Sequence, residues 1–177
     1  MLQIDVKKTI LLVVVICLHN AFASAKNSVW LEKLDSILAV SENIVAEKNN
    51  KIAMLKQMAA KETNTSLLLE RYWELSEEYY VFKFDSAKIY VEKGLALARK
   101  TNNRRYVVAN SIMLAKLLAI GGLYSEAISN LSKINPESLE PDLFFDYHIA
   151  YFTIYSYWAD YCNDDTYSPI YKEKSNA

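Results

Sequence analysis

The sequence contains few of the residues that interrupt helices. Only three glycines and three prolines occur in 177 residues, whereas there are thirteen tyrosines. Glycine and proline supply the turns of loop-rich and all-β proteins, so their scarcity argues against both classes. The composition therefore predicts an all-α protein whose helices pack through aromatic side chains.

A strong charge of either sign is also missing. The formal net charge is -1. Nucleic-acid-binding domains carry a basic surface, and solvating tails carry a run of like charge. Neither feature is present, so we expect no nucleic-acid partner for this segment.

The sequence lacks the common motifs of catalysis and cofactor binding. It has no glycine-rich phosphate loop, no Gly-x-Ser-x-Gly, no paired histidines and no Cys-x-x-Cys. His148 has no acid or nucleophile implied beside it, which favours a packing or surface role. Asp160, Asp164 and Asp165 lack the spacing and the glycine of a calcium loop. We therefore predict that the protein is not an enzyme, with no catalytic residues, no metal and no cofactor.

The N-terminal segment has the form of an export signal. Lys7 and Lys8 precede an apolar run at residues 10–18, and an Ala-Ser-Ala sequence follows at 23–25. This order is typical of a secretory signal with a signal-peptidase site. The run is shorter than the roughly 20 residues of a membrane span. We predict a signal peptide over residues 1–25, a periplasmic location, and no membrane span in the mature chain.

Cysteine is scarce as well. Cys17 lies in the apolar run, but Ile16 stands where a lipoprotein signal has a small residue, which favours loss of this cysteine with the signal. Cys162 is then the single thiol of the mature chain. An exported protein with one cysteine has no internal disulfide, so its stability must come from packing.

A long amphipathic segment follows the signal. Apolar residues recur every 3.5 positions at Leu31, Leu34, Leu38, Val45, Ile52, Leu55 and Ala59. This spacing predicts a leading helix or helix pair over residues 26–63 that lies on the following helices. The alternative is self-association of this helix as a coiled-coil dimer.

The remaining chain, residues 64–177, is predicted to form helical hairpins. Glycines at 121 and 122 separate an apolar helical segment, 106–120, from a second one that begins at Tyr124. We expect the two glycines to supply positive φ, Ala127 to permit close helix contact, and Tyr124 to pack into the elbow of its own hairpin.

This hairpin pattern occurs twice. Phe84-Asp85-Ser86-Ala87 precedes Tyr124-Ser125-Glu126-Ala127 by 40 residues, and Asp85 or Ser86 is expected to cap the helix there. A third, very aromatic helix is predicted from residue 143 to 161. A short final helix, 170–174, leaves the last hairpin incomplete.

The hairpins resemble tetratricopeptide (TPR) repeats. The first-helix and second-helix parts of that pattern match Tyr72-x-x-Leu75 and Ala87-x-x-x-Val91. The resemblance implies a TPR-like α-solenoid, here preceded by a long leading helix.

Four motifs together look like the exported TPR-type sensor portion of a regulator-like family common in Bacteroidetes. They are Leu34-Asp35-Ser36-Ile37-Leu38, Lys48-x-x-x-Ile52-x-x-Leu55-Lys56, Phe84-Asp85-Ser86-Ala87 and Gly121-Gly122-Leu123-Tyr124-Ser125-Glu126-Ala127. The resemblance spans about residues 30–171. Longer relatives carry a membrane helix and a cytoplasmic output segment, and relative to them this chain is expected to be shortened.

Three functional interpretations follow. The first is a periplasmic protein-interaction scaffold that senses a ligand or partner for a membrane-associated regulator. The second is a helical domain that binds or processes carbohydrate on the aromatic helix, because tyrosine and tryptophan offer flat apolar faces with a hydrogen-bonding edge. The third is a non-functional remnant of a longer sensor. Hairpin repeats explain most of the apolar positions, which favours the scaffold.

A groove on the first helices of the hairpins is the predicted site for a protein or peptide partner. Lys116 is the single charge in the apolar run 111–120, so it either extends to solvent or meets an acidic group in the groove. The predicted partner-binding residues are Ile112, Lys116, Ala119, Tyr151, Tyr155 and Trp158.

Overall fold

The structure is a computed structural model that describes the backbone of residues 6–176 and the side chains of residues 29–176. Seven α-helices and one short 3-10 helix make up this part of the chain, which contains no strand. The predicted all-α class and helical hairpin repeats are therefore confirmed. The predicted signal peptide, 1–25, lies outside the residues whose side chains are described.

Helix α1 (Val6–Lys61) has 56 residues and belongs to two compact units, residues 1–50 and residues 51–177. It is unbroken at Asn49 and Asn50. In the first unit every side chain from Val29 to Glu47 is exposed. The apolar positions of the 3.5-residue repeat in this part are therefore uncovered in the chain as described.

In the second unit, the last turns of α1 join a buried core. Ile52 and Leu55 are nearly inaccessible, as the repeat predicts. They contact a cluster of buried side chains from the next three helices, comprising Leu75, Tyr79, Ala87, Val91, Met113 and Leu117. Burial of this apolar surface fixes the end of α1 on the first hairpin.

The first hairpin consists of α2 (Thr65–Tyr80) and α3 (Phe84–Lys100). The Asn64 side chain caps α2 by accepting hydrogen bonds from two backbone amides of its first turn. Lys83 precedes α3 and makes no side-chain cap. The expectation that Asp85 or Ser86 caps α3 is wrong, because both already lie within its first turn.

The second hairpin consists of α4 (Arg104–Ile120) and α5 (Tyr124–Leu131). Gly122 has φ +78°, whereas Gly121 has φ -78°, so one glycine and not two supplies the left-handed conformation. The Leu123 amide donates to the Leu118 carbonyl at 2.8 Å, which satisfies an end carbonyl of α4. Asn102, at φ 55°, ends α3 in the same way.

The third hairpin consists of α6 (Pro141–Cys162) and α7 (Tyr167–Asn176), after a 3-10 helix at Pro136–Ser138. The Ser168 hydroxyl donates to the Ala159 carbonyl at 2.8 Å and fastens the start of α7. With ten residues against the 22 of α6, α7 is the shorter partner of the pair.

The repeated aromatic residues join successive hairpins. Phe84 begins α3 and lies against Gly121, at the elbow of the second hairpin, where an added Cβ would be 3.4 Å from its ring. Tyr124 begins α5 and stacks on Trp158 near the end of α6, with ring centroids 5.5 Å apart. Tyr124 therefore packs against the following hairpin in addition to the core of α4, α5 and α6, and its place in the elbow stays a prediction.

A close crossing of α3 and α4 explains a glycine inside a helix. Gly94 faces Asn110, which is fully buried and donates its amide to the Tyr106 carbonyl at 2.8 Å. A Cβ at position 94 would lie 2.7 Å from the Asn110 Oδ1 atom. The glycine therefore allows the two helices to approach around a buried amide.

Candidate functional site

A groove runs along the first helices of the three hairpins. Two adjoining cavities of about 260 and 110 Å³ share Trp73 and Glu77 of α2, Ala109 of α4 and Asp146 of α6. We call the surface formed by these two cavities the α2–α4–α6 groove. The shared residues show that one continuous surface is built from three separate helices, as the resemblance to TPR arrays implies.

Lys116 lines this groove. It is half-buried, and its ammonium group lies 5.3 Å from the centre of the Tyr80 ring, within range of a cation–π contact. No carboxylate lies within ion-pair distance of this ammonium group among residues 29–176. Lys116 therefore lines the groove, and its contact with an acidic group stays a prediction.

Glu77 faces an excess of negative charge. Partial burial raises its pKa, and the carboxylates of Glu78 and Glu74 raise the pKa further. The Lys116 ammonium group acts in the opposite direction, and Asp146 adds another unfavourable negative charge. The ionised form of Glu77 is thus only partly compensated within the chain, and an additional cation in the groove would stabilise it.

The opposite end of the groove is already neutralised. Arg105 makes ion pairs with Glu140 and Asp142, and this arginine holds the pKa of Asp142 below its usual range. Neither Glu77 nor Asp146 takes part in an ion pair within the described side chains. The groove therefore contains two carboxylates without an ion-pair partner among the described residues, one ammonium group and the aromatic wall of Trp73.

Two predicted groove residues belong to the protein interior. Ile112 and Ala119 are 3% and 2% exposed. Both side chains lie in the core between α4, α5 and α6. Ile112 also lines the groove, whereas Ala119 does not. The correction is that Lys116 alone, of the three residues predicted on α4, offers an accessible functional group.

The three predicted aromatic residues of α6 lie on another face of that helix. The Trp158 ring stacks on Tyr171 of α7 at 4.2 Å, and Tyr155 stacks on the same ring at 6.3 Å. Tyr151 packs against the core beside Tyr147, and burial raises its pKa. The expected common groove is therefore corrected: these residues fasten α7 and α5 to α6. Their contact with any partner stays a prediction.

The groove residues that the sequence analysis missed are Trp73, Glu77 and Asp146. A helix turns about 100° per residue, so Asp146 faces a different direction from Tyr147 beside it. Asp142 and Asp146, spaced by four, are the acidic residues at the start of an aromatic helix. Residues spaced by four lie on the same face of a helix, so this pair indicates a polar face of α6 and could have predicted that Asp146 lies away from the core.

The described residues show no arrangement for holding a metal ion and no helix suited to crossing a membrane. No group of histidine, cysteine, aspartate and glutamate side chains in this part of the chain is placed to hold a metal ion. Across the same residues, no helix combines the length and apolar character that a membrane crossing needs. His148 lies 4.4 Å from the Phe144 ring, between ring centres, and Cys162 is an unpaired, half-buried thiol.

Comparison with known proteins gives one finding. No curated protein and no solved structure matches the chain. The model of the family described as "SusR N-terminal TPR domain" matches residues 38–177, which cover most of the chain and all three hairpins. The match agrees with the helical hairpin repeats seen in the structure. This protein therefore belongs to the SusR N-terminal TPR domain family.

Proposed function

We propose that this protein is a periplasmic interaction scaffold and the partner-sensing part of a membrane-associated regulator. Its α2–α4–α6 groove binds a segment of a partner protein that presents a lysine or arginine beside an apolar side chain. The observation that carries the proposal is the convergence of Trp73, Glu77 and Asp146, from two different hairpins, on one open groove.

The charge of the groove supports a cationic segment. Glu77 and Asp146 have no ion-pair partner among residues 29–176, and Lys116 offsets the charge of Glu77 only in part. A basic side chain placed between the two carboxylates gains charge-assisted hydrogen bonds. Trp73 adds an apolar surface and an electron-rich face that attracts the same cation. A neutral or acidic segment gains neither the charge-assisted hydrogen bonds nor the attraction between a cation and the Trp73 ring.

The family and the N-terminal sequence support the cellular role. TPR-like hairpins stack into extended surfaces that bind protein segments. The family's description names an N-terminal domain, which agrees with an input module that is joined to an output module. The lysines, the apolar run and the Ala-Ser-Ala sequence within residues 1–25 support export to the periplasm.

The carbohydrate interpretation receives no comparable support. It depends on aromatic rings that are open for stacking, whereas Tyr155 and Trp158 stack on Tyr171. Hydrolysis of a glycan or peptide by the purified wild-type protein would nevertheless contradict a scaffold role, and so would the absence of any partner.

The test is binding to a peptide array in which one central position varies between lysine, arginine, glutamine and glutamate. We expect capture of the basic peptides by the wild-type protein and weaker capture by Glu77→Gln and Asp146→Asn. The matched controls are Glu173→Gln and Asp165→Asn, which alter exposed carboxylates outside the groove. Equal capture of basic and acidic peptides, or equal capture by groove and control variants, would refute the proposed site.

A further inference from the structure

A larger cavity lies on a different part of the second unit. It has a volume of about 420 Å³ and is formed where the end of α3, the first half of α4, the end of α5 and the 3-10 helix meet. Its lining consists of Arg99, Arg104, Val107, Val108, Ser111, Asn130, Lys133, Ile134, Asn135, Ser138 and Leu139. Small-molecule sites in proteins are typically about 300–1,000 Å³, so the cavity is large enough for a ligand.

The charges around this cavity all have one sign. Arg99, Arg104 and Lys133 come from three different segments, and the lining includes no aspartate or glutamate. None of the three cations forms an ion pair with a described residue. The next residue, Arg105, is in contrast paired with two carboxylates. The three exposed cations are therefore accessible to a ligand, whereas Glu140, which lines an adjoining cavity, is paired with Arg105.

The neutral polar groups leave the cations as the main donors. Ser111 and Ser138 donate their hydroxyl hydrogens to backbone carbonyls, and Asn130 donates its amide to the Glu126 carbonyl at 2.9 Å. The Arg104 guanidinium donates to the Ser138 hydroxyl at 2.5 Å, which orients it toward this side of α4. A ligand in the cavity thus meets positively charged donors chiefly.

The remaining wall is apolar. Val107, Val108, Ile134 and Leu139 contribute aliphatic surface beside the cations. This combination suits a molecule with an anionic group at one end and a carbon skeleton at the other, because the anion is bound by charge and the skeleton is removed from water. An inorganic ion alone would leave the apolar wall uncovered.

We propose that this cavity is a binding site for a small organic anion whose carboxylate or phosphate group lies among Arg99, Arg104 and Lys133. The site is separate from the α2–α4–α6 groove and does not depend on the function proposed for it. A ligand held there contacts both the first and the second hairpin, so its binding stabilises the packing between them.

The experiment measures binding by isothermal titration calorimetry and the melting temperature, at constant ionic strength, with three probes. Hexanoate and hexyl phosphate present a carboxylate and a phosphate on the same aliphatic chain, and 1-hexanol is the neutral counterpart. We expect saturable binding and a raised melting temperature with at least one anionic probe, and neither effect with 1-hexanol.

The variants locate the site. Arg104→Gln and Lys133→Gln should each weaken binding by about tenfold or more, because each removes a charge-assisted hydrogen bond. The matched control is Lys100→Gln, an exposed cation near the end of α3 that does not line the cavity. Circular dichroism verifies that all variants are folded. Absence of saturable binding of both anions, or equal weakening in all three variants, would overturn the proposal.

Discussion

The two faces of α6 differ in how their side chains are used. On one face, Tyr155 and Trp158 stack on Tyr171 of α7, and Tyr147 lies in the core with side chains of α4 and α5. On the other face, Asp142 and Asp146 line an open groove. The face with many aromatic residues stabilises the fold, whereas the face with few functional groups forms the candidate site.

The difference has a physical origin. Aromatic side chains bury large areas and gain further stabilisation from stacking, so clustered rings tend to contact one another and the neighbouring helices. A carboxylate loses hydration on burial and stays where solvent or a partner can compensate it. The rings of α6 that face α5 and α7 therefore serve packing, whereas Asp142 and Asp146 stay accessible in the groove.

The largest expected effect is on the packed face. Trp158→Ala removes the ring that contacts Tyr124, Tyr155 and Tyr171, and should lower the free energy of unfolding by about 3 kcal/mol. Hydrogen exchange should increase in α7. The control is Tyr167→Ala at an exposed ring, for which we expect a change near zero. Equal losses for the two variants would show that the aromatic cluster does not hold α7.

The next effect concerns equivalent alanines in the first two hairpins. Ala87 and Ala127 have no exposed surface, so replacement of either by leucine overpacks a helix crossing and should cost about 1–3 kcal/mol in chemical denaturation. Lys100→Leu, at an exposed position, should change stability little. Similar losses at all three positions would contradict the equivalence of the hairpins.

A smaller effect is expected at the α3–α4 crossing. Gly94→Ala places a methyl group against the buried Asn110 side chain and should cost about 1–2 kcal/mol, despite a gain in helix propensity. Asn110→Ala removes the obstacle. In that background the same Gly94→Ala change should be neutral or stabilising. An unchanged penalty in the double variant would mean that the obstacle is not Asn110.

The two carboxylates of the groove face, Asp142 and Glu77, should each change the free energy of unfolding only slightly. As the pH falls, their contributions should change in opposite directions. Arg105 lowers the pKa of Asp142 in the folded state, so this carboxylate stabilises the fold above its unfolded pKa of about 3.9, and the contribution is lost as pH falls. The pKa of Glu77 is raised in the folded state, so its ionisation destabilises the fold as pH rises through its unfolded value of about 4.3.

The corresponding variants separate the two residues. Asp142→Asn should reduce the stability at pH 7 slightly and weaken the loss of stability in acid, since the pair is exposed. Glu77→Gln should be neutral or slightly stabilising at pH 7. Urea denaturation between pH 3 and pH 7 measures both. A clear destabilisation by Glu77→Gln at pH 7 would indicate that this carboxylate is structural.

Much of the fold could be predicted from periodicity and turn residues. Gly122, the recurring alanines at 87 and 127, and the heptad positions Ile52 and Leu55 each have the predicted role in separating or packing helices. These signals are local, because helix faces and turns follow from residue spacing within one segment.

The site was harder to predict because it depends on which faces of distant helices meet. Trp73 and Asp146 are 73 positions apart and lie on helices of different hairpins. The prediction assigned the aromatic stripe of α6 to the groove. Asp146 lines the groove, whereas the next residue, Tyr147, lies in the core. Because a helix turns about 100° per residue, a shift of one residue changes which of the two a side chain faces.

The most direct test of the account is a double-mutant cycle between Asp146 and the basic residue of a captured peptide. The peptide is compared with a norleucine analogue, and the protein with Asp146→Asn, by calorimetric titration. The account predicts that the analogue binds about tenfold more weakly to the wild-type protein and that most of this difference disappears in the variant. Independent, additive effects of the two changes would contradict the groove as the site of cation recognition.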